Sequence, residues 1–414
     1  MTEGSPQSTS RAAKIIDRCR ELACITDVPG GTTRLFLSPA TREAHTKLLG
    51  WMQQAQLETR IDDIGNVRGI RRSAIAGAPT LLLFSHIDTV PNAGPFDGLL
   101  GVILSLAAIE ELNDQHTILP FNIELIALSE EEGIRFTFPF LSSLALTGQL
   151  APAHLTRTDA NSITVAEALR NVGLNPDRVP TSCALLPNTF AALEVHIEQG
   201  PVLDEANESI AVVRGIIGQS RLCFAFEGQA NHAGTTPMPL RHDALAAAAE
   251  WIVAVERCAA THSPLVATVG RLEVLPGGIN IVPGRVNATL DLRHPDDRVR
   301  REAVVILQAA AQQAAASRGV RATSSLESEQ ATFPMNAVLT TQLQQAAHRA
   351  GPGARALFSG AGHDAMILAP HVPTAMLFVR SPHGLSHHPD ETVREADVEA
   401  ALATTLEFIR TLTL

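Results

Sequence analysis

Thr80-Leu81-Leu82-Leu83-Phe84-Ser85-His86-Ile87-Asp88 is an apolar run of strand length that gives way to a histidine and then, two residues on, to an aspartate. Three more runs end in the same fashion. Glu131 and Glu132 follow Phe121-Asn122-Ile123-Glu124-Leu125-Ile126-Ala127-Leu128; His196 ends Ala191-Ala192-Leu193-Glu194-Val195; His387 comes shortly after Ala375-Met376-Leu377-Phe378-Val379. Asp97 lies in a loop after the first run. In an open α/β sheet, ligands gather in the crevice beyond the carboxyl ends of the strands, so four such strands would deliver their polar residues to one place. Imidazole with carboxylate is the ligand set of a hydrolytic divalent-metal centre.

The alternation of strand-like and helical runs from about Arg11 to Val202 is that of an α/β layered domain. Ser105 to Leu112, inside a longer apolar segment opening after Asp97-Gly98, reads as a largely buried helix, with Asp97 near its N-terminus where the dipole favours negative charge. The middle of the chain changes character. Arg221–Phe226 alternates as a strand, Leu240–Ala260 is an Ala-rich helix, Leu265–Val274 and Val286–Leu292 are strands, Asp296–Ser317 is a helix and Val320–Leu326 a last strand. That β-α-β-β-α-β order is the ferredoxin-like unit, complete in itself. It sets an inserted α+β domain at residues 213–330, between two parts of a catalytic α/β sheet domain at 1–212 and 331–414. Asn336–Ala350 and Glu395–Thr411 read as amphipathic helices flanking the strand that leads to His387.

With 414 residues, two domains are the expected outcome. A formal charge of -11 argues against nucleic acid or an anionic membrane as partner and in favour of a small molecule. The five cysteines are odd in number and contain no C-x-x-C pair, which fits a reducing compartment better than a disulfide framework. The opening segment MTEGSPQSTSRA has no apolar core of a secretory signal, and the longest apolar stretch, Leu99 to Ala108, is too short to cross a bilayer. The expectation is a cytoplasmic protein.

Taken singly, each ligand candidate has an ordinary explanation. His86 and Asp88, at i and i+2, share one face of an extended chain, so Asp88 can fix the ring of a ligating His86; a capped turn explains the pair equally well. Asp97-Gly98 alone is most often a turn, though a carboxylate has two oxygens and can bridge two cations. Glu130-Glu131-Glu132 is a charge run of the kind that usually lies in water, yet here it ends an apolar strand. One glutamate as ligand and its neighbour as proton carrier is the division that metal-assisted hydrolysis needs. His196 alone reads as a satisfied core histidine and His387 as a loop histidine. It is the repetition of these residue types at strand ends that points to chemistry. In the insertion, Arg293 ends a strand and can clamp a carboxylate or form a surface salt bridge, and the Gly- and Pro-rich surroundings of His232 and Asn280 suggest loops able to close over a substrate.

Ser85–Val102, Glu131–Phe136, Glu194–Leu203, Asn231–Met238, Gly277–Pro283, Ser359–Ala365 and Ser386–Glu391 together resemble the amidase/hydantoinase/carbamoylase branch of the M20 dinuclear metallopeptidase superfamily, from roughly Thr26 to the C-terminus. The resemblance implies a hydrolase-like catalytic domain with two divalent ions per subunit, zinc or manganese, or else cobalt or nickel. It also implies an inserted dimerisation and lid domain, and cleavage of ureido or carbamoyl C–N bonds. Under it His86 and His196 each hold one side of the metal pair, Asp97 bridges, and Glu132 and His387 complete the other metal. Glu131 is the general base and Asp88 the outer partner. His232 stabilises the oxyanion in the other subunit of a homodimer; Gln199, Asn280 and Arg293 bind substrate, Arg293 taking its carboxylate. Thr33–Pro39, Asn92–Asp97, Gly218–Leu222 and Leu377–Ser381 lean toward allantoate amidohydrolases. The expected reaction is conversion of allantoate to ureidoglycine, ammonia and carbon dioxide. An N-carbamoyl-L-amino acid hydrolase or β-ureidopropionase is the nearest rival; a metal-dependent peptidase and a non-catalytic binding protein stand further off. One departure is Gln56, where relatives usually have glycine.

Overall fold

The computed structural model describes residues 10–351 and 353–413; most of the polar opening segment falls outside them. The chain forms two compact units, one from the residues up to Arg214 together with those from Pro334 onward, the other from Gly215 to Phe333.

The first unit is built on a nine-stranded mixed sheet. Its order runs Glu58–Ile61, Val67–Arg71, Asn122–Leu128, Thr80–His86, Thr189–Ile197, Thr374–Val379, Ile210–Ile216 and the two-residue strand Phe333–Pro334, with Arg355–Ser359 pairing off Ile210–Ile216. The four strands in the middle, from Asn122–Leu128 to Thr374–Val379, run parallel. They are near-continuous in Val, Ile, Leu and Ala because both faces are covered, as parallel sheets require. Every residue of Thr80–His86, Asn122–Leu128 and Thr374–Val379 is buried. Register then fixes the functional end: His86 pairs with Leu128, and His196 with Phe378, so the segments leaving these strands start from one edge of the sheet.

The helix Leu99–Asp114 packs on Thr80–His86 and Thr189–Ile197 and, on its other sides, on the helices Arg11–Ala23 and Glu395–Thr411. Twelve of its sixteen residues are buried, which explains why its apolar residues show no stripe: a helix surrounded by protein is apolar all round. At roughly 1.5–3 kcal/mol for each large aliphatic side chain removed from water, this element is among the main stabilising contacts of the unit. It begins at Leu99, directly after Gly98, whose φ of 63° lies in the left-handed region.

The second unit is a four-stranded antiparallel sheet, Arg321–Gln330, Gly218–Glu227, Arg285–His294 and Val266–Leu275 in spatial order, with helices Ala244–Thr261 and Asp297–Ala316. In chain order this is β-α-β-β-α-β, the ferredoxin-like arrangement. Gly218–Glu227 alternates buried and more exposed positions, and the buried set meets Trp251, whose indole N–H donates to the Leu307 carbonyl at 3.1 Å.

Two boundaries differ from the sequence reading. The helix expected from Leu240 starts at Ala244, because Met238–Leu240 forms a proline-containing 3-10 turn and Asp243 caps the helix by accepting from the Leu245 and Ala246 amides. The strands of the second unit also run several residues beyond their apolar cores, since antiparallel pairing continues through polar residues as far as Gln330. Gln56 has a φ of 62°, in the left-handed region that glycine adopts most readily.

Candidate metal centre

The strand ends and the segments that follow them bring four residues, His86, His196, His387 and Glu132, around the carboxylate of Asp97. Asp97 directs Oδ1 to the His196 Nε2 at 3.2 Å and to the His86 Nε2 at 4.0 Å, and Oδ2 to the His387 Nε2 at 3.0 Å. Glu132 Oε1 lies 3.5 Å from the same His387 nitrogen. Two ligand groups thus share Asp97, His86/Asp97/His196 and Asp97/Glu132/His387, each with its donor atoms within 4.8 Å of one another. His86 and His196 therefore stand on the same side of Asp97. The expectation that each holds a different side is corrected by their Nε2 atoms being 3.2 Å apart, because neighbouring parallel strands put both rings at one level.

Each donor is fixed from behind. His86 Nδ1 lies 3.1 Å from the Asp88 carbonyl oxygen and 3.4 Å from its Oδ1, and His196 Nδ1 lies 2.9 Å from the Ile197 carbonyl, so both rings turn Nε2 into the site. Asp88 does more than orient a ring. Its carboxylate accepts from the Glu131 amide at 3.0 and 3.1 Å and from the Glu132 amide at 3.0 Å, tying the two glutamates to the strand that carries His86. Arg34, fully buried, donates from Nε to the Ile87 carbonyl at 2.7 Å and holds the same segment from the other side. Gly98 leaves room for the His86 ring: a Cβ there would come within 2.4 Å of it.

Charge reinforces the geometry. Burial alone would raise the Asp97 carboxyl, but the hydrogen bond with His387 and the nearby His196 and His86 draw it well below the usual carboxylate range. Burial pushes Glu131 well above that range and Glu132 up to about 7, with Asp97 adding to the latter, and it lowers His196 to about 4. Buried carboxylates therefore crowd a place where two imidazole nitrogens face each other. Uncompensated buried charge costs several kcal/mol, and divalent cations between these donors would relieve it. The donor set fits two such ions.

Of the other residues singled out from the sequence, Gln199 belongs to this site. Its Nε2 donates to both Asp97 oxygens at 3.1 Å, from a backbone φ of 58°. His232, Asn280 and Arg293 lie in the second unit. His232 and Ile281 are paired in a two-stranded ribbon, and the Asn280 carbonyl accepts from the Ala233 amide at 2.9 Å, which draws Asn280 beside His232. Arg293 makes a two-pronged contact with a carboxylate, that of Asp291 in its own strand, Nε to Oδ1 at 2.8 Å and Nη2 to Oδ2 at 3.0 Å.

The profile of peptidase family M20/M25/M40 matches residues 82–411, a span that takes in His86, Asp97, Glu132, His196 and His387. The chain belongs to this family. An N-carbamoyl-L-amino acid amidohydrolase of Geobacillus stearothermophilus is 38% identical over 93% of this chain and 94% of its own length. Allantoate deiminase 2 of Glycine max is 36% identical over 96% of this chain and 89% of its own. Among solved structures, an amidase of the hydantoinase/carbamoylase family from Burkholderia multivorans superposes with a TM-score of 0.90 at 33% identity, covering 96% of this chain and 97% of that one.

The M20 site also contains residues that reading the sequence did not assign. His363 packs edge-on to His196, ring centroids 4.5 Å apart, and its Nε2 lies 2.8 Å from Ser359 Oγ. Glu194, two residues before His196 on the same face of the strand, is fully buried and accepts from the Ala365 amide at 2.9 Å. Glu391 accepts from the Phe96 and Asp97 amides. A lone Glu or His carries no spacing signal; only the stretches Glu194–Leu203, Ser359–Ala365 and Ser386–Glu391, as blocks of a family pattern, marked these places.

Proposed function

We propose that this hydrolase is a binuclear metal-dependent amidohydrolase that cleaves a ureido C–N bond of a small ureido acid, allantoate being the substrate favoured by Thr33–Pro39, Asn92–Asp97, Gly218–Leu222 and Leu377–Ser381. The observation that carries the reading is the Asp97 carboxylate, whose two oxygens face two different histidine-containing groups. His86, His196 and Asp97 would hold one divalent ion, and Asp97, Glu132 and His387 the other. Such ions supply Lewis acidity and bring the pKa of a water toward neutrality. Glu131, buried, and grouped with His86 and Glu132 but not with Asp97, takes the proton of the attacking water and returns it to the departing nitrogen. Asp88 keeps Glu131 in place through its amide. Gln199 orients the ureido group. On the second unit, His232 meets the developing oxyanion from the other subunit of a homodimer, with Asn280 and Arg293 binding substrate and Arg293 taking its carboxylate.

N-carbamoyl-L-amino acid hydrolysis is a second reading, supported by the Geobacillus relative's 38% identity. Metal-free protein reconstituted separately with manganese and zinc, then assayed for ammonia release from allantoate and from a panel of N-carbamoyl amino acids, separates the two. The proposal expects allantoate to have the higher kcat/KM by at least tenfold. Preference for a carbamoyl amino acid would transfer the assignment to the second reading.

The buried acids also give a pH dependence. Glu131 and Glu132 have folded-state pKa values above the unfolded one, so their contribution to stability is intact below about pH 4.5 and is lost as pH rises through the folded values, about 7 for Glu132. His196 acts oppositely: lowered to about 4, it contributes above pH 6.5 and loses that contribution as pH falls. Metal ions offset the carboxylate repulsion and compete with protons for the same donors. The rise in Tm on adding saturating zinc or manganese should be larger at pH 7.5 than at pH 5.5, as read by differential scanning fluorimetry. An equal rise at both would contradict this.

A further inference from the structure

Glu391 is four residues beyond His387 and is 3% exposed. Its Oε1 accepts two consecutive main-chain amides, Phe96 at 2.7 Å and Asp97 at 3.0 Å. Its own amide donates to the His388 carbonyl at 3.0 Å, closing a turn in the segment that presents His387. Gly94 is pressed against this turn: a Cβ there would come within 2.2 Å of the Glu391 Cβ and 2.7 Å of the His388 carbonyl oxygen. One carboxylate thus joins the loop that carries Asp97 to the loop that carries His387. It touches neither the backbone of His86 nor that of His196, whose rings are fixed by Asp88 and the Ile197 carbonyl.

We propose that Glu391 is a positioning residue that sets the distance between Asp97 and His387, and so governs the Asp97/Glu132/His387 side of the centre selectively. This rests on the reading of Asp97 as the shared ligand. Two backbone hydrogen bonds to a charged acceptor are strong, and they tie the main chain of the Asp97 loop, whereas the other contacts between the two loops, Ser386 Oγ to Asp97 Oδ2 at 3.4 Å and His387 Nε2 to Asp97 Oδ2 at 3.0 Å, reach only its side chain. Without them the Asp97 main chain and the His387 turn move independently, and the group that needs both suffers, while His86 and His196 stay anchored on their strands.

The test is metal content and affinity of purified full-length protein, measured by inductively coupled plasma mass spectrometry and by zinc titration. The wild type should hold two equivalents. Glu391→Ala should hold one tightly, with the second weakened by 10–100-fold, the range seen when outer partners of metal ligands are removed. Glu391→Gln keeps an oxygen that accepts both amides and should retain two. Gly94→Ala, which keeps the Glu391 carboxylate but displaces it and its turn, should reproduce the selective loss. With cobalt in place of zinc, the visible absorption bands of one ion should weaken in Glu391→Ala and return in Glu391→Gln. Parallel loss of both equivalents in Glu391→Ala and Gly94→Ala, or full retention of both, overturns the inference. A glutamine variant that behaves like alanine also overturns it, since charge would then be the working feature. Asp97→Asn keeps the two failures apart: if it still binds two ions tightly, the shared-ligand reading falls, and this inference with it.

Discussion

Glu131→Gln is expected to lower kcat for the ureido substrate by about 10²–10⁴-fold, the contribution of a well-placed general acid–base group, while both metal equivalents remain bound. The isosteric amide preserves the volume at a site where Glu131 is 8% exposed, and the amide of residue 131 keeps its bonds to Asp88. It removes only the group that can accept and return a proton. Glu132 lies within ligand distance of Asp97 and His387, and Glu131 of His86 and Glu132, so the proposed division into base and ligand is what this variant tests. Kinetics and metal analysis on the same sample check it. Loss of a metal equivalent from Glu131→Gln, with Glu132→Gln keeping two, would mean that the two glutamates exchange roles.

Asp97→Ala should have the larger consequence for binding. Its two oxygens face both ligand groups, Oδ1 at 3.2 Å from His196 and Oδ2 at 3.0 Å from His387. Removing them leaves imidazole nitrogens 3.2 Å apart with no anion between, and deprives Glu132 and His387 of their common partner. Both ions should be lost at micromolar concentration, an effect beyond the 10–100-fold typical of outer partners, and turnover should fall below detection. Circular dichroism should still show a folded protein, because the sheet and the helix Leu99–Asp114 are buried by apolar residues independent of Asp97. Retention of one tight equivalent would indicate that one group closes without the shared carboxylate.

How much of this was legible beforehand follows from what kind of signal each part carries. Parallel strands buried on both faces are written as continuous apolar runs, so Thr80–Phe84, Asn122–Leu128 and Thr374–Val379 stand out, and with them the residues that end each run. The second unit was legible because its helices and strands alternate in an order with one common solution. What the runs cannot encode is register. That His86 and His196 share a side of Asp97 depends on which strands are neighbours and how they are offset, a property of pairing between residues more than a hundred apart in sequence. Glu391 was marked as part of the Ser386–Glu391 block, but its contacts were not legible for a related reason, since they are with two main-chain amides nearly three hundred residues away. Asp88 was read as a partner of the His86 ring; its grip on the Glu131 and Glu132 amides exists only because Asn122–Leu128 lies beside Thr80–His86. Arg293 could be read as a carboxylate clamp or a salt bridge, and the structure gives it a carboxylate from its own strand.

The most direct test of the central claim is anomalous X-ray diffraction from crystals of the manganese-loaded enzyme. Two peaks should flank the Asp97 carboxylate, one contacted by His86 and His196 and the other by Glu132 and His387. A single peak, or a pair that leaves Asp97 outside the coordination of either ion, would contradict the account.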